Sequence, residues 1–114
     1  MTTTPRKLWI DDWRTPADDG WEIARTGADA MTLLLARTYT VVAFDHDLGD
    51  TYYEHRPGEF RELTGQLLLD LLEEQVMTGE RPRLTAIHIL TDNAGARRAM
   101  IQTAQRIADV VTAR

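Results

Sequence analysis

Short apolar runs and longer amphipathic stretches alternate along the 114 residues. The first run, "KLWI" at 7–10, stops at Asp11 and Asp12 and predicts a buried strand. "WRTPADDG" follows as a loop punctuated by Pro16 and Gly20. "WEIAR", 21–25, alternates apolar and polar residues and predicts a second strand. Thr26 and Gly27 lead into a helix over "ADAMTLLLART", with Ala28, Met31, Leu34 and Leu35 on one face. "YTVVAF", 39–44, is β-branched and aromatic and predicts the central strand. Residues 48–63 read as a long polar loop containing aromatics, a length often functional in a small domain. Thr64 can cap the next helix, "GQLLLDLLEEQVMTG", whose stripe is Leu67, Leu68, Leu71, Leu72 and Val76, with Gly79 as its stop. "LTAIHIL", 84–90, is a fourth strand. Asn93 can cap a last helix reaching about Val111, on which Met100, Ala104, Ile107 and Val111 keep helical spacing.

The order β-β-α-β-α-β-α predicts one α/β domain over 1–114, a three-layer sandwich around a mostly parallel four-stranded sheet with about three helices. Ligands of such sheets bind beyond the carboxyl ends of the strands, where strand order reverses. Three predicted strands end in polar groups: Asp11 and Asp12; Asp45, His46 and Asp47; Thr91, Asp92 and Asn93.

Composition narrows what those ends can do. At 43% hydrophobic and 27% charged residues the chain has ordinary globular content. Its net charge of −5 argues against a broad DNA-binding surface, yet leaves room for a small arginine-lined phosphate pocket. The absence of cysteine excludes disulfides and thiolate metal sites. "MTTTPRK" lacks the apolar core of a signal peptide, and no apolar stretch reaches membrane-spanning length, so a cytoplasmic location is expected. There is no internal repeat, and nothing specifies the oligomeric state.

"FDHDLGD", 44–50, sets Asp45, Asp47 and Asp50 directly after an apolar run. Crowded carboxylates require a cation, protons or solvent between them. Mg²⁺ takes oxygen ligands, usually one or two carboxylates with water and substrate phosphate. Asp11, Asp12 and Asp45 can supply that site, with Asp47 an outer ligand or the ligand of a second ion. Asp12 can equally cap or solubilise a strand end. Extended geometry would aim Asp45 and Asp47 one way and His46 the other. His46 then serves as general acid/base or metal ligand, or bonds a backbone carbonyl. His88, inside an apolar strand, is a core or interface residue or a functional one; His55 lies in the long loop. Arg14 can balance the carboxylates or clamp a phosphate. Trp13, Trp21, Tyr52 and Tyr53 can stack on a base or simply pack. Gly49 would let the chain turn away from the site.

The endings "DD", "FDHD" and "LTDN" resemble the acidic pocket of response-regulator receiver domains. The resemblance implies Asp11 and Asp12 as a metal pair, Asp45 as phosphoryl acceptor and Thr91 as the hydroxyl. The chain departs from that pattern: its one lysine is Lys7, and a single helix follows Thr91, so the last strand and helix of a full receiver are not expected. The stretch between the first two strands is also too short for a helix.

A closer resemblance is to the cyclic-phosphate-processing receiver-like family, a compact receiver (flavodoxin-like) offshoot. That family's pattern runs "LDD.R..P.GW", "DHDLG" and "H.HS.N..G"; this chain has "IDDWRTPADDGW", "DHDLGD" and "IHILTDNAGARRAM". The resemblance implies a truncated receiver-like fold whose pocket takes cyclic or terminal phosphates of RNA or nucleotides, with Mg²⁺ or Mn²⁺. His88 matches the first histidine of "H.HS", but Leu90 stands at the second and Thr91 at the serine. That departure favours binding without turnover, or a transfer of the role to His46. The strand end at Leu90 and Thr91 is expected beside Asp45. The candidate set is therefore Asp45, His46, Asp47, His88 and Thr91 for chemistry, Arg14 and Asn93 for phosphate, and Asp11, Asp12 and Asp45 for metal. The competing expectation is a non-catalytic signalling module that binds a nucleotide, or a protein through the long loop and the Leu-rich helix.

Overall fold

β-Branched and aromatic residues concentrate in four runs too short for helices, and these runs become the strands of one parallel sheet. The computed structural model describes residues 6–48, 52–79 and 84–113. Its elements are β1 (Lys7–Ile10), β2 (Trp21–Ala24), α1 (Gly27–Ala36), β3 (Val41–Phe44), β4 (Tyr52–Arg56), β5 (Glu59–Glu62), α2 (Gly65–Met77), β6 (Ala86–Ile89) and α3 (Ala94–Thr112). The main sheet runs β2-β1-β3-β6, with every neighbouring pair parallel. Among the described residues this is an α/β fold with a four-stranded parallel sheet and three helices, as the sequence pattern predicts. None of the helices among the described residues is long and apolar enough to cross a membrane.

Period-two alternation gives the sheet two unlike faces. Leu8, Ile10, Val42 and Phe44 are fully buried and join the buried residues of all three helices in one core. Lys7, Trp9, Trp21 and His88 have the opposite parity in the register, and none of them belongs to that core. The buried residues of the helices thus meet one face of the sheet. Between β1 and β2 runs a ten-residue loop, 11–20, so no helix is available there for the second face.

The helices begin where the sequence offers caps. Thr26 accepts from the Asp29 N–H at 3.1 Å, Thr64 from Leu67 at 3.3 Å and Asn93 from Ala96 at 3.1 Å. The buried faces are turned slightly from those predicted. In α1 they are Gly27, Ala30 and Leu34, with Leu35 exposed. Gly27 sets that turn, since a Cβ there would lie 2.7 Å from the Leu63 side chain. In α2, Leu68, Leu69, Leu72 and Val76 are buried, and in α3 Met100 and Ile107.

The stretch expected as loop contains a hairpin. β4 and β5 pair antiparallel from Tyr52↔Glu62 to Arg56↔Glu59, around a turn at Pro57 and Gly58 where Gly58 takes φ +79°. "YYEHR" and "EFRE" do not alternate in polarity, so periodicity gave no strand signal. Gly49 and Asp50 lie outside the described residues, as do the side chains of Tyr52, Tyr53 and His55.

Candidate functional site

β1 feeds β2 on one side, while β3 lies on the other, so strand order reverses between β1 and β3. Backbone ladders continue one residue past the strands. The N–H of Asp11 bonds Ala24 O at 3.1 Å, that of Asp45 bonds Ile10 O at 2.8 Å, and that of Leu90 bonds Phe44 O at 2.8 Å. These bonds hold the polar endings of β1, β3 and β6 side by side. Asp11, Asp12 and Asp45 each bring a carboxylate oxygen to within 4.8 Å of the others. Next to them a cavity of about 250 Å³ is lined by Asp12, Trp13, Arg14, Asp45, Asp47, Thr91, Asp92 and Asn93.

The carboxylates differ in what already holds them. Asp11 is fully buried. Its Oδ1 accepts from the backbone N–H groups of Trp13 at 3.0 Å and Arg14 at 3.1 Å, and its Oδ2 from Arg14 Nη1 at 3.1 Å. Asp45, 5% exposed, accepts from the backbone N–H of His46 at 2.8 Å. Arg14 Nη1 lies 3.7 Å from Asp45 Oδ1, an ion-pair distance too long for a hydrogen bond. Arg14 Nη2 reaches Asp92 at 2.6 Å, so one guanidinium links the ends of β1, β3 and β6.

Electrostatics follow from this geometry. Burial pushes the Asp45 carboxyl above its ordinary range; the nearby charges of Asp11 and Asp12 add to that, while the His46 N–H and Arg14 oppose it. The hydrogen bond to Asp11 holds the Arg14 guanidinium above its already high value. A set of three carboxylates is a hard, all-oxygen donor set, the kind that divalent cations of the Mg²⁺ class accept. The cluster could hold such an ion.

The other predicted residues divide into those at the pocket and those away from it. Asp47 lines it, its Oδ1 2.9 Å from His46 Nδ1. Thr91 is buried there, and its Oγ1 accepts from the Asn93 N–H at 3.2 Å. Asn93 lines the pocket while its Oδ1 caps α3. His46 is half-buried beside Asp45 but does not line the cavity. His88 is not brought to this pocket at all. It is exposed on the opposite sheet face, its ring 6.4 Å from that of Trp21. With Leu90, Trp9, Trp21 and α3 residues it lines a separate groove of about 800 Å³. Alternation is the cause: His88 pairs in register with Ala43 and shares the parity of Trp9, whereas Phe44, just before Asp45, pairs with Ile89.

Three supporting residues escaped the sequence reading. Arg25 Nη1 donates to the carbonyls of Asp11 at 3.2 Å and Arg14 at 2.5 Å, and the Trp9 indole donates to Arg14 O at 3.0 Å. Together they pin the loop that carries Asp12, Trp13 and Arg14. Gly65, the first residue of α2, donates to His46 O at 2.9 Å. A Cβ on Gly65 would sit 1.6 Å from Asp45 O, so only glycine lets the helix approach the acidic strand end this closely. A glycine at the first turn of an otherwise leucine-rich helix was the available signal.

Neither the comparison with curated proteins nor that with solved structures gave a match. Residues 6–106 match the family described as Cyclic-phosphate processing Receiver domain. That span takes in every strand of the main sheet and the acidic, arginine and threonine residues of the pocket, so the chain belongs to the cyclic-phosphate processing receiver domains.

Proposed function

We propose that the pocket binds, with Mg²⁺ or Mn²⁺, the cyclic or terminal phosphate of a nucleotide or RNA end and processes it slowly, in a cytoplasmic setting. The observation that carries this reading is the nearly buried Asp45 at the strand-order switch, with Asp11 and Asp12 oxygens within 4.8 Å and Arg14 beside it. A bound divalent cation supplies charge neutralisation for phosphate oxygens and activation of water. Asp12 and Asp45 hold it, and Asp11 completes the set while fixing the loop. Arg14 offers a planar fork to phosphate oxygens. The Thr91 hydroxyl and the Asn93 amide hydrogen-bond the same group. Asp47, paired with His46, can relay a proton from the rim. With Lys7 bound to Asp18 at 3.0 Å and no lysine lining the pocket, a phosphorelay role has little support.

A second reading has its own observation: no histidine is among the described residues lining the pocket. A site without a general acid of suitable pKa at the leaving oxygen favours a binding module over a turnover enzyme. One experiment separates the two. Wild type, Asp45→Asn, His46→Ala and His88→Ala are titrated with Mn²⁺ by calorimetry and assayed on 2′,3′-cyclic nucleotides with Mn²⁺ or chelator. Metal-dependent ring opening, abolished by Asp45→Asn and reduced by His46→Ala but not by His88→Ala, supports processing. Binding without product selects the module. Mn²⁺ affinity untouched by Asp45→Asn removes the pocket from both readings.

A further inference from the structure

Trp13 is 68% exposed, and among the described residues it is the one aromatic lining the acidic pocket. The other two tryptophans are half-buried and anchored: Trp9 through its indole N–H to Arg14 O, and Trp21 through its own to Asp18 at 3.0 Å. An exposed indole costs solvation free energy. Its backbone is nevertheless held firmly, with the Trp13 N–H bonded to Asp11 Oδ1 at 3.0 Å. The Arg14 guanidinium carbon lies 4.5 Å from the centre of the Trp13 ring. An indole has two faces. With one backed by Arg14 and two thirds of the residue still accessible, the other face is open. Cavity size then decides what can reach it. A drug-sized ligand needs about 300–1,000 Å³. The 250 Å³ here suits a phosphate with part of a sugar, and any further ring must lie on the rim.

We infer that Trp13 is a stacking platform at the rim of the acidic pocket, so that the preferred ligand is a phosphate joined through a sugar to a planar base. This rests on the phosphate-pocket reading and adds a specificity-determining residue to it. Trp13 meets the metal donors through its backbone N–H to Asp11, a bond that substitution of the indole leaves in place; the indole positions the ligand. Stacking of a base on an aromatic side chain is worth about 1–3 kcal/mol, or roughly 5- to 150-fold in affinity.

Four ligands test it, each with Mn²⁺: inorganic phosphate, ribose 5-phosphate, adenosine 5′-monophosphate and 2′,3′-cyclic adenosine monophosphate. A trinucleotide ending in the same cyclic phosphate distinguishes an RNA end from a free nucleotide. Affinities are measured by calorimetry for wild type, Trp13→Phe and Trp13→Ala, with tryptophan fluorescence followed in parallel. The expected result is at least fivefold tighter binding of the nucleotides than of ribose 5-phosphate. That preference should vanish in Trp13→Ala and persist in part in Trp13→Phe. Nucleotide-specific quenching should disappear in both variants, although Trp9 and Trp21 remain. A wild type that does not separate nucleotide from ribose 5-phosphate overturns the inference and leaves the phosphate pocket standing. A preference that survives Trp13→Ala also overturns it, because the base then lies elsewhere. If wild type binds none of the phosphates, the pocket reading fails and the inference fails with it.

Discussion

Replacing Asp45 by asparagine should stabilise the metal-free protein at neutral pH. Asp45 is 5% exposed, within 4.8 Å of oxygens on Asp11 and Asp12, and 3.7 Å from Arg14. At an effective dielectric of about 20, each carboxylate repels it by roughly 3 kcal/mol and the guanidinium attracts it by roughly 4 kcal/mol. Two repulsions exceed one attraction, and desolvation of the charge adds to the imbalance. Solvent around the exposed Asp12 reduces its share, leaving a net penalty of about 1–2 kcal/mol. Asparagine removes the charge and keeps an oxygen for the His46 N–H. A gain of that size raises the melting temperature by about 4–8 °C in a domain near 100 residues.

The pH dependence gives the sharper test. Burial raises the Asp45 carboxyl in the folded state, so the native protein binds this proton more tightly than the unfolded chain. The resulting stability is present below the unfolded aspartate value and is lost as pH rises through the raised folded value. Asparagine mimics the protonated state at every pH. The advantage of Asp45→Asn over wild type should therefore be small in acid, grow through that window and level off above it. Mn²⁺ should reverse the order: wild type gains about 2.7 kcal/mol at a metal concentration of 100 Kd, and the variant gains little. Urea denaturation at several pH values, with and without Mn²⁺, measures all of this. A variant less stable than wild type at pH 7, or an advantage that does not change with pH, refutes the reasoning.

Arg14→Gln should act in the opposite direction without metal. It removes the side-chain donor from the fully buried Asp11, at a cost of about 2–3 kcal/mol given the two backbone donors that remain, and Mn²⁺ should narrow the gap; urea melts with and without Mn²⁺ check both, and an undiminished apo stability would show that Arg14 compensates nothing. Gly65→Ala places a methyl 1.6 Å from Asp45 O and should cost about 3 kcal/mol or more and weaken Mn²⁺ binding together, since α2 and the acidic strand end must separate; denaturation and calorimetry read the two, and a loss of stability with full metal affinity would uncouple the helix from the site.

How far the sequence reveals this site depends on the range of the interaction that builds each part. Strand ends are local, so apolar runs closed by Asp11, Asp45 and Thr91 were legible, as were the side-chain caps at Thr64 and Asn93. Parallel pairing then aligned those ends without further information. The hairpin was hidden because the sequences of its strands do not alternate in polarity. His88 was harder still. Its place on the far face depends on register with β3, and one residue along β6 decides which side of the sheet a side chain occupies. Gly65 and Arg25 act across the fold, on Asp45 and on the 11–14 loop respectively, and nothing local to either position names its target.

The same contrast of ranges separates the two buried carboxylates by role. Asp11 spends both oxygens within three residues of itself, on the Trp13 and Arg14 N–H groups and the Arg14 guanidinium. Its charge is already matched, and what it produces is a shaped loop that presents Asp12, Trp13 and Arg14 to the cavity. Asp45 accepts only the His46 N–H among the described residues, and Arg14 stands off beyond hydrogen-bonding distance. Its charge is under-compensated, and burial denies it water. A carboxylate held in that condition lowers the stability of the empty fold, and an incoming cation relieves it. Natural folds keep such a cost where function requires it. Asp11 thus shapes the loop beside the pocket, and Asp45 is the buried carboxylate there whose charge is left unmatched.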